Sequence, residues 1–118
     1  YSTSKILCMA HVSMGATNGY RFALRLVRGS TNILLGDPSS NRSRATVSHQ
    51  GSGGNIIDQT LPIFFLDSPA TTNATTYKIQ AACEQSGGTY YLNRGGTSSN
   101  NSTVYGATSS ITVLEIAQ

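Results

Sequence analysis

The stretch KILCMAHVSM, residues 5–14, decides the fold class because it is apolar at both sets of alternating positions. The apolar residues are, on one side, Ile6, Cys8, Ala10, Val12 and Met14 and, on the other, Leu7 and Met9. A β-strand that is covered on both faces has this pattern. In an antiparallel domain, the second covered face indicates a neighbouring subunit.

The following segment, YRFALRLVR (residues 20–28), comes after the turn-forming residues GATNG (15–19) and alternates between apolar and polar positions. This alternation predicts a strand with one buried face and one exposed face. The residues expected to point inward are Tyr20, Phe22, Leu24 and Leu26.

Shorter apolar runs separated by turn residues predict further strands over 33–36, 45–50, 56–66, 77–84, 88–93 and 109–118. Pro62 predicts a sheet edge, a bulge or a break within the run that contains it. The last run is again apolar at both sets of positions. About seven or eight strands without a helical period are typical of an antiparallel β-sandwich or a jelly roll.

Composition agrees with one all-β domain that spans residues 1–118. Charged residues make up 11% of the chain, and serine and threonine together about a quarter, which suits strands and turns. The 38% of hydrophobic residues exclude a disordered chain. The two cysteines, Cys8 and Cys83, occupy apolar positions that favour buried thiols, and a disulfide between them is the alternative.

The charge pattern excludes several classes of partner. The net charge is +3 and the arginines are scattered, so we expect no nucleic-acid partner. No apolar run approaches the roughly 20 residues of a membrane span, so we expect no membrane insertion. Because the chain opens at Tyr1 without a methionine or signal peptide, we expect it to be part of a longer protein.

The titratable residues predict no catalysis, no metal site and no cofactor. The five acidic residues are isolated in the sequence, and no G-x-S-x-G motif is present. We interpret His11 as a packed or interface histidine and Asp67 as the turn residue that precedes Ser-Pro.

Two loops are candidate binding surfaces. The first is the long polar segment 94–108, since a loop of this length is usually functional. Aromatic rings and polar amides near a loop are common in receptor sites, although either tyrosine of the pair at 90–91 could instead pack the sandwich. The candidates here are Tyr90, Tyr91, Asn93, Arg94 and Tyr105. The second surface contains Arg42, Arg44 and His49, for which a solvated loop is the alternative.

Two segments resemble the C-terminal modules of tail-fibre and knob-like proteins of tailed phages, especially marine phages. That family has a "SPATT…TYKVQ" segment followed by a "VNRS…YG…SSITVMEI" ending. The matching residues in the first segment are Asp67, Ser68, Pro69, Thr76, Tyr77, Lys78 and Gln80. Those in the second are Asn93, Arg94, Tyr105, Gly106, Ser110, Ile111, Thr112, Glu115 and Ile116. The segments SKILCMAHVSMG and YRFALRLVRGST also look like strands of that family.

The resemblance implies a jelly roll of the tumour-necrosis-factor/C1q type that assembles as a homotrimer. It would explain why two strands are apolar on both faces, and the candidate interface residues are Leu7, Met9, His11, Leu114 and Ile116. Members of the family carry strands before the SKIL segment. Either the first strands lie outside this sequence, or the module is a shortened variant.

The function that the resemblance implies is non-enzymatic. We expect a fibre-tip or knob module on the virion surface that contacts other virion proteins and a glycan or protein receptor of the host cell. One alternative is a capsid-decorating or purely trimerising module without a receptor. The other is a secreted C1q-like or lectin-like binding domain.

Overall fold

The structure is a computed structural model that describes residues 2–16, 20–50, 57–83, 87–95, 102 and 105–118. These residues form eight strands, and none of them belongs to a helix long and apolar enough to cross a membrane. The strands are β1 (Lys5–Ala16), β2 (Arg21–Arg28), β3 (Thr31–Leu34), β4 (Val47–Gln50), β5 (Ile57–Asp67), β6 (Tyr77–Cys83), β7 (Tyr90–Leu92) and β8 (Ser110–Ile116). The all-β prediction is confirmed.

Two of the differences between the observed and the predicted strand bounds concern β1 and β3. β1 continues to Ala16, two residues past the predicted end, and residues 17–19 of the GATNG segment lie outside the described residues. β3 begins at Thr31 because residues 31–34, and not 33–36, pair with β2.

The first sheet is built around β1. β5 pairs antiparallel with residues 6–16 of this strand. On the opposite edge of β1, β8 pairs with residues 5–11 and β7 with residues 14–16, so β7 and β8 lie end to end. Pro62 lies within β5, which has no second partner among the described residues, as the missing N–H of a proline requires.

The second sheet repeats this plan around β2. β6 pairs antiparallel with residues 22–28, whereas β4 and β3 lie end to end along the other edge. Thr46 fills the gap between β3 and β4: its N–H donates to the carbonyl oxygen of Leu24 at 2.8 Å. Its hydroxyl accepts the N–H of Leu26 and donates to the carbonyl oxygen of Leu34.

The two antiparallel sheets pack face to face as a β-sandwich. Alternate residues of β1, including Cys8, Ala10, Val12 and Met14, form one core with Phe22, Leu24 and Leu26 of β2. The inward orientation predicted for these β2 residues is confirmed. Burial of each such large apolar side chain stabilises the fold by roughly 1.5–3 kcal/mol. Cys8 and Cys83 belong to opposite sheets, and both thiols are free.

A buried carboxylate joins the two sheets at one end of the sandwich. Asp67, the last residue of β5, accepts two hydrogen bonds from Nη1 of Arg28, at 2.9 and 2.7 Å. It also accepts the hydroxyl of Tyr77 at 2.7 Å. The interpretation of Asp67 as an ordinary turn residue was therefore incomplete, because its side chain is 7% exposed and links β5 to β2 and β6.

One margin of the sandwich is open. The inner face of β5 is covered, since Ile63 is 2% exposed, whereas Val113 on the inner face of β8 is 48% exposed. A groove of about 560 Å³ lies on this side and is lined by residues of β6, β7 and β8, among them Ile79 and Ile111. The described parts of β6 and β8 have no further strand partner on this side.

Candidate functional site

The outer face of the first sheet carries large apolar side chains. The five residues predicted to form a subunit interface share this face, because β1 pairs Leu7 with Leu114 and Lys5 with Ile116. β5 adds Phe64 and Leu66, which pair with Met9 and Leu7. We call this set the apolar face: Leu7, Met9, His11, Phe64, Leu66, Leu114 and Ile116.

Exposure distinguishes the apolar face from a core. Phe64 is 69% exposed, and the leucines and isoleucine contributed by β5 and β8 are each more than two-fifths exposed. His11 contributes a polar group at one end of the face, in the row with Pro62 and Ser110, and its Nδ1 lies 3.1 Å from the hydroxyl of Ser110. Contiguous exposed apolar surface of this kind marks an interaction site in soluble proteins.

Phe64 and Leu66 were missed in the sequence, although a signal was present. The run LPIFFL is apolar at both alternating sets of positions, as residues 5–14 are. Applied to this run, the same argument would have predicted a covered outer face on β5 as well.

The loop 94–108 interrupts what would otherwise be one continuous strand. β7 ends at Leu92 opposite Met14, and β8 begins at Ser110 opposite His11, so one row of β1 partners is split by the loop. Ser13 bridges the gap. Its N–H donates to the hydroxyl oxygen of Ser109 and its hydroxyl to the carbonyl oxygen of Thr108, both at 2.9 Å.

The two ends of this loop form a closed neck. Asn93 adopts a left-handed conformation (φ 62°), which turns the chain away from β1, and its N–H donates to the carbonyl oxygen of Ser13. The N–H of Ala107 donates to the carbonyl oxygen of Asn93 at 2.7 Å, and Arg94 pairs with Gly106 in a β-bridge. These hydrogen bonds therefore hold in place the backbone from which the side chains at the neck project.

Besides Asn93, three of the predicted binding residues lie at this neck. Tyr91 pairs with Gly15 of β1, and the guanidinium carbon of Arg94 lies 4.3 Å from the centre of the Tyr91 ring. Tyr105 is 77% exposed and, with Arg94, borders a small cavity. The neck thus places a cation on the ring of Tyr91, beside the apolar face.

Tyr90 differs from its neighbour because it points into the sandwich. Its ring packs edge-on against Phe22 with 5.7 Å between the centroids. Burial, followed by the nearby thiol of Cys83, raises the pKa of the Tyr90 hydroxyl. Of the two tyrosines, Tyr90 has the packing role that was the alternative in the sequence.

The second predicted surface is divided in the structure. The Nε of Arg44 donates to the carbonyl oxygen of Gly36 at 2.6 Å, and Arg25 donates to the carbonyl oxygen of Arg44 at 3.0 Å. Arg42 is exposed on the same loop. His49, in contrast, stacks on Phe22 at the inner side of β4, so the structure does not bring it to the arginines.

Among the described residues, no three His, Cys, Asp or Glu side chains gather as metal ligands would. Comparison of the chain with family models, curated proteins and solved structures finds no match. The apolar face and the neck are therefore the two candidate functional sites.

Proposed function

We propose that this chain is a non-enzymatic binding module that assembles with further copies of itself through the apolar face and presents the 94–108 loops to a receptor. In this proposal the assembly is a homotrimer of jelly-roll modules on a virion, at a fibre tip or knob, and it attaches the particle to a host cell.

The exposed apolar face carries the proposal. Phe64, Leu66 and Leu114 are flanked by other apolar residues. The apolar face contains no Lys, Arg, Asp or Glu, and Lys5 lies beside it, opposite Ile116. A homomeric interface is more apolar than ordinary surface and poor in charge. A second copy of the same chain is the occupant that matches this surface, because it supplies an equally apolar and uncharged partner.

The number of three subunits and the virion follow from the resemblance to tail-fibre modules. The jelly-roll subtype is supported by the strand plan, in which β1 and β2 are consecutive but belong to different sheets. The open margin between β6 and β8 is where a jelly roll would accept further strands.

A role in attachment is supported by the position of the neck. Tyr91 and Arg94 lie near the C-terminal end of β1, whereas Leu7 and Leu114 lie near its N-terminal end. Assembly through the apolar face would therefore leave the loops together at one end of the assembled module. Three such loops on one trimer would bind a repetitive surface with avidity, which compensates for weak single sites.

Competition for host attachment tests this function. Purified module, added before the phage, is expected to block adsorption, and Leu114→Arg is expected to lose most of that effect because it prevents trivalent binding. Blocking by the variant at the same chain concentration would contradict the need for assembly. A module that assembles without blocking adsorption would instead be a decorating or trimerising element. Residues 73–75 are Asn-Ala-Thr, an N-glycosylation sequence, and a glycan on Asn73 in native material would indicate a secreted domain.

A further inference from the structure

A small cavity lies between the neck and the outer side of strands β1 and β5. It has a volume of about 190 Å³ and is lined by Ser13, Gln59, Thr60, Arg94, Tyr105 and Ala107. The neck reaches across β1 to form it, which also explains why Ser13 is buried. Since pockets for drug-sized ligands begin at roughly 300 Å³, this cavity suits a group the size of one sugar ring.

Arg94 gives the cavity a positive charge. Its guanidinium stacks on Tyr91 and forms no ion pair with any carboxylate whose side chain the structure describes. No Asp or Glu lines the cavity. Because Asn93 and Ala107 fix the backbone at the neck, the cation is held in place before any ligand arrives.

The other lining groups supply the contacts that a carbohydrate needs. Tyr105 exposes most of its ring, and an exposed aromatic ring offers a flat apolar surface at low entropic cost. The hydroxyl of Thr60 donates to the hydroxyl of Ser13 at 3.1 Å, which leaves the Thr60 oxygen able to accept a hydrogen bond from a sugar hydroxyl. Arginine binds a carboxylate through two parallel hydrogen bonds, which adds strength and orientation.

We propose that this cavity is a binding site for a pyranose that carries a carboxylate, such as a uronic acid at the end of a surface glycan. This assignment rests on the proposed attachment function, since it names the ligand of the same loop. The carboxylate pairs with Arg94, the ring lies on Tyr105, and a sugar hydroxyl faces Thr60.

A matched pair of ligands isolates the carboxylate. Methyl β-D-glucuronide and methyl β-D-glucoside differ only at carbon 6, where one has a carboxylate and the other a hydroxymethyl group. Titration of the intact chain, followed by calorimetry at low salt, is expected to show the glucuronide binding at least about tenfold more tightly, and 0.5 M salt should reduce the difference. Acetate, which lacks the ring, should bind at least about tenfold more weakly than the glucuronide.

Variants then assign the contacts. Arg94→Gln is expected to weaken glucuronide binding at least about tenfold and to leave the glucoside unchanged. Tyr105→Ala should weaken the binding of both glycosides. Because the Tyr105 ring is exposed, its removal should not unfold the chain, so unfolding would not explain the weaker binding. Lys78→Gln, which removes an exposed cation from β6 of the other sheet, is the matched control and should bind the glucuronide as the parent chain does.

Equal binding of the two glycosides, binding of neither, tight binding of acetate, or an unaffected Arg94→Gln variant would each overturn the assignment. These failures differ from failure of the proposed function. A chain that assembles and blocks adsorption, but does not prefer the glucuronide, refutes the sugar site alone. A chain that prefers the glucuronide as a monomer refutes the assembly alone.

Discussion

The two sheets share one strand plan but present opposite outer faces. Each has a long central strand, a partner that pairs along nearly all of it on one edge and two strands end to end on the other. The first sheet exposes Phe64, Leu66 and Leu114 on its outer face. The second exposes polar and charged groups there: Arg21, Arg25, Ser48, Gln50, Lys78 and Gln80.

The inner faces of the sheets serve folding, whereas the difference between the outer faces concerns function. The inner faces of both sheets are apolar and form the core, so the same alternation specifies the sandwich in each sheet. Only the outer faces differ, so the outer faces determine what each sheet can contact. We infer that the second sheet faces solvent, whereas the first sheet is covered by other copies of the chain.

The largest effect is expected from a charge on the apolar face. Leu114→Arg would place a guanidinium where a partner chain covers it, and an unpaired buried charge costs several kcal/mol, so association should weaken by about 100-fold or more. Sedimentation velocity at micromolar concentration measures the shift. Gln80→Arg, the same charge on the outer face of the second sheet, should leave the mass unchanged, and equal effects of the two variants would remove the distinction between the faces.

The next largest effect concerns the link between the sheets. Asp67→Asn removes a charged acceptor from Arg28 and Tyr77 and should lower the free energy of unfolding by about 2–3 kcal/mol. Tyr77→Phe, which loses one hydrogen bond and keeps the ion pair, should cost about 1 kcal/mol. Urea unfolding at one fixed chain concentration compares them. If both variants cost the same, the ion pair contributes nothing beyond the tyrosine hydrogen bond.

A smaller effect tests whether the same kind of hydrogen bond stabilises both pairs of end-to-end strands, β3 with β4 and β7 with β8. Thr46 and Ser109 each place a hydroxyl at the gap between two end-to-end strands, where it accepts a backbone N–H of the central strand. Thr46→Ala and Ser109→Ala should each cost about 1–2 kcal/mol, because a partly buried N–H loses its acceptor. Thermal unfolding gives both values, and Ser109→Thr should restore stability. A cost for only one of the alanine variants would show that the strand plans are not equivalent.

The smallest effect is expected at alkaline pH. Burial raises the pKa of both Tyr77 and Tyr90 above the ordinary value of 10, so the folded state binds their protons more tightly than the unfolded state. Their contribution is complete well below pH 10 and is lost progressively as pH rises through and above 10.

Denaturation between pH 9 and 11 measures this loss. The Tyr77→Phe and Tyr90→Phe variants should each reduce the pH dependence. Tyr105→Phe, which changes an exposed ring, should not alter it. If stability still falls with pH as before in both the Tyr77→Phe and the Tyr90→Phe variant, other groups cause the alkaline sensitivity.

Much of the fold was predictable because alternation reports burial directly. Phe22, Leu24 and Leu26 were assigned inward from their spacing, and the structure confirms this. The pairing of strands was not predictable, since alternation specifies which face a residue occupies and not which strand lies beside it. That β7 and β8 form one interrupted row along β1 became visible only from the register.

The candidate site shows the same limit. Leu7 and Leu114 were recognised as outward-facing because their strands are apolar at both sets of positions, and the structure places them opposite each other. The link between Asp67 and Arg28 joins residues 39 positions apart and has no local signature. His49 and Arg44 are close in sequence, but the strand that contains His49 turns its ring inward.

The mass of the chain in solution tests most directly whether the outer face of the first sheet is a self-association surface. Light scattering across micromolar concentrations should give three times the 12.4 kDa mass of one chain. Hydrogen exchange on the same sample should show slower exchange for β8, at the edge of the apolar face, than in the Leu114→Arg variant. A constant mass of 12.4 kDa, with exchange in β8 equal in both proteins, would contradict the proposed assembly.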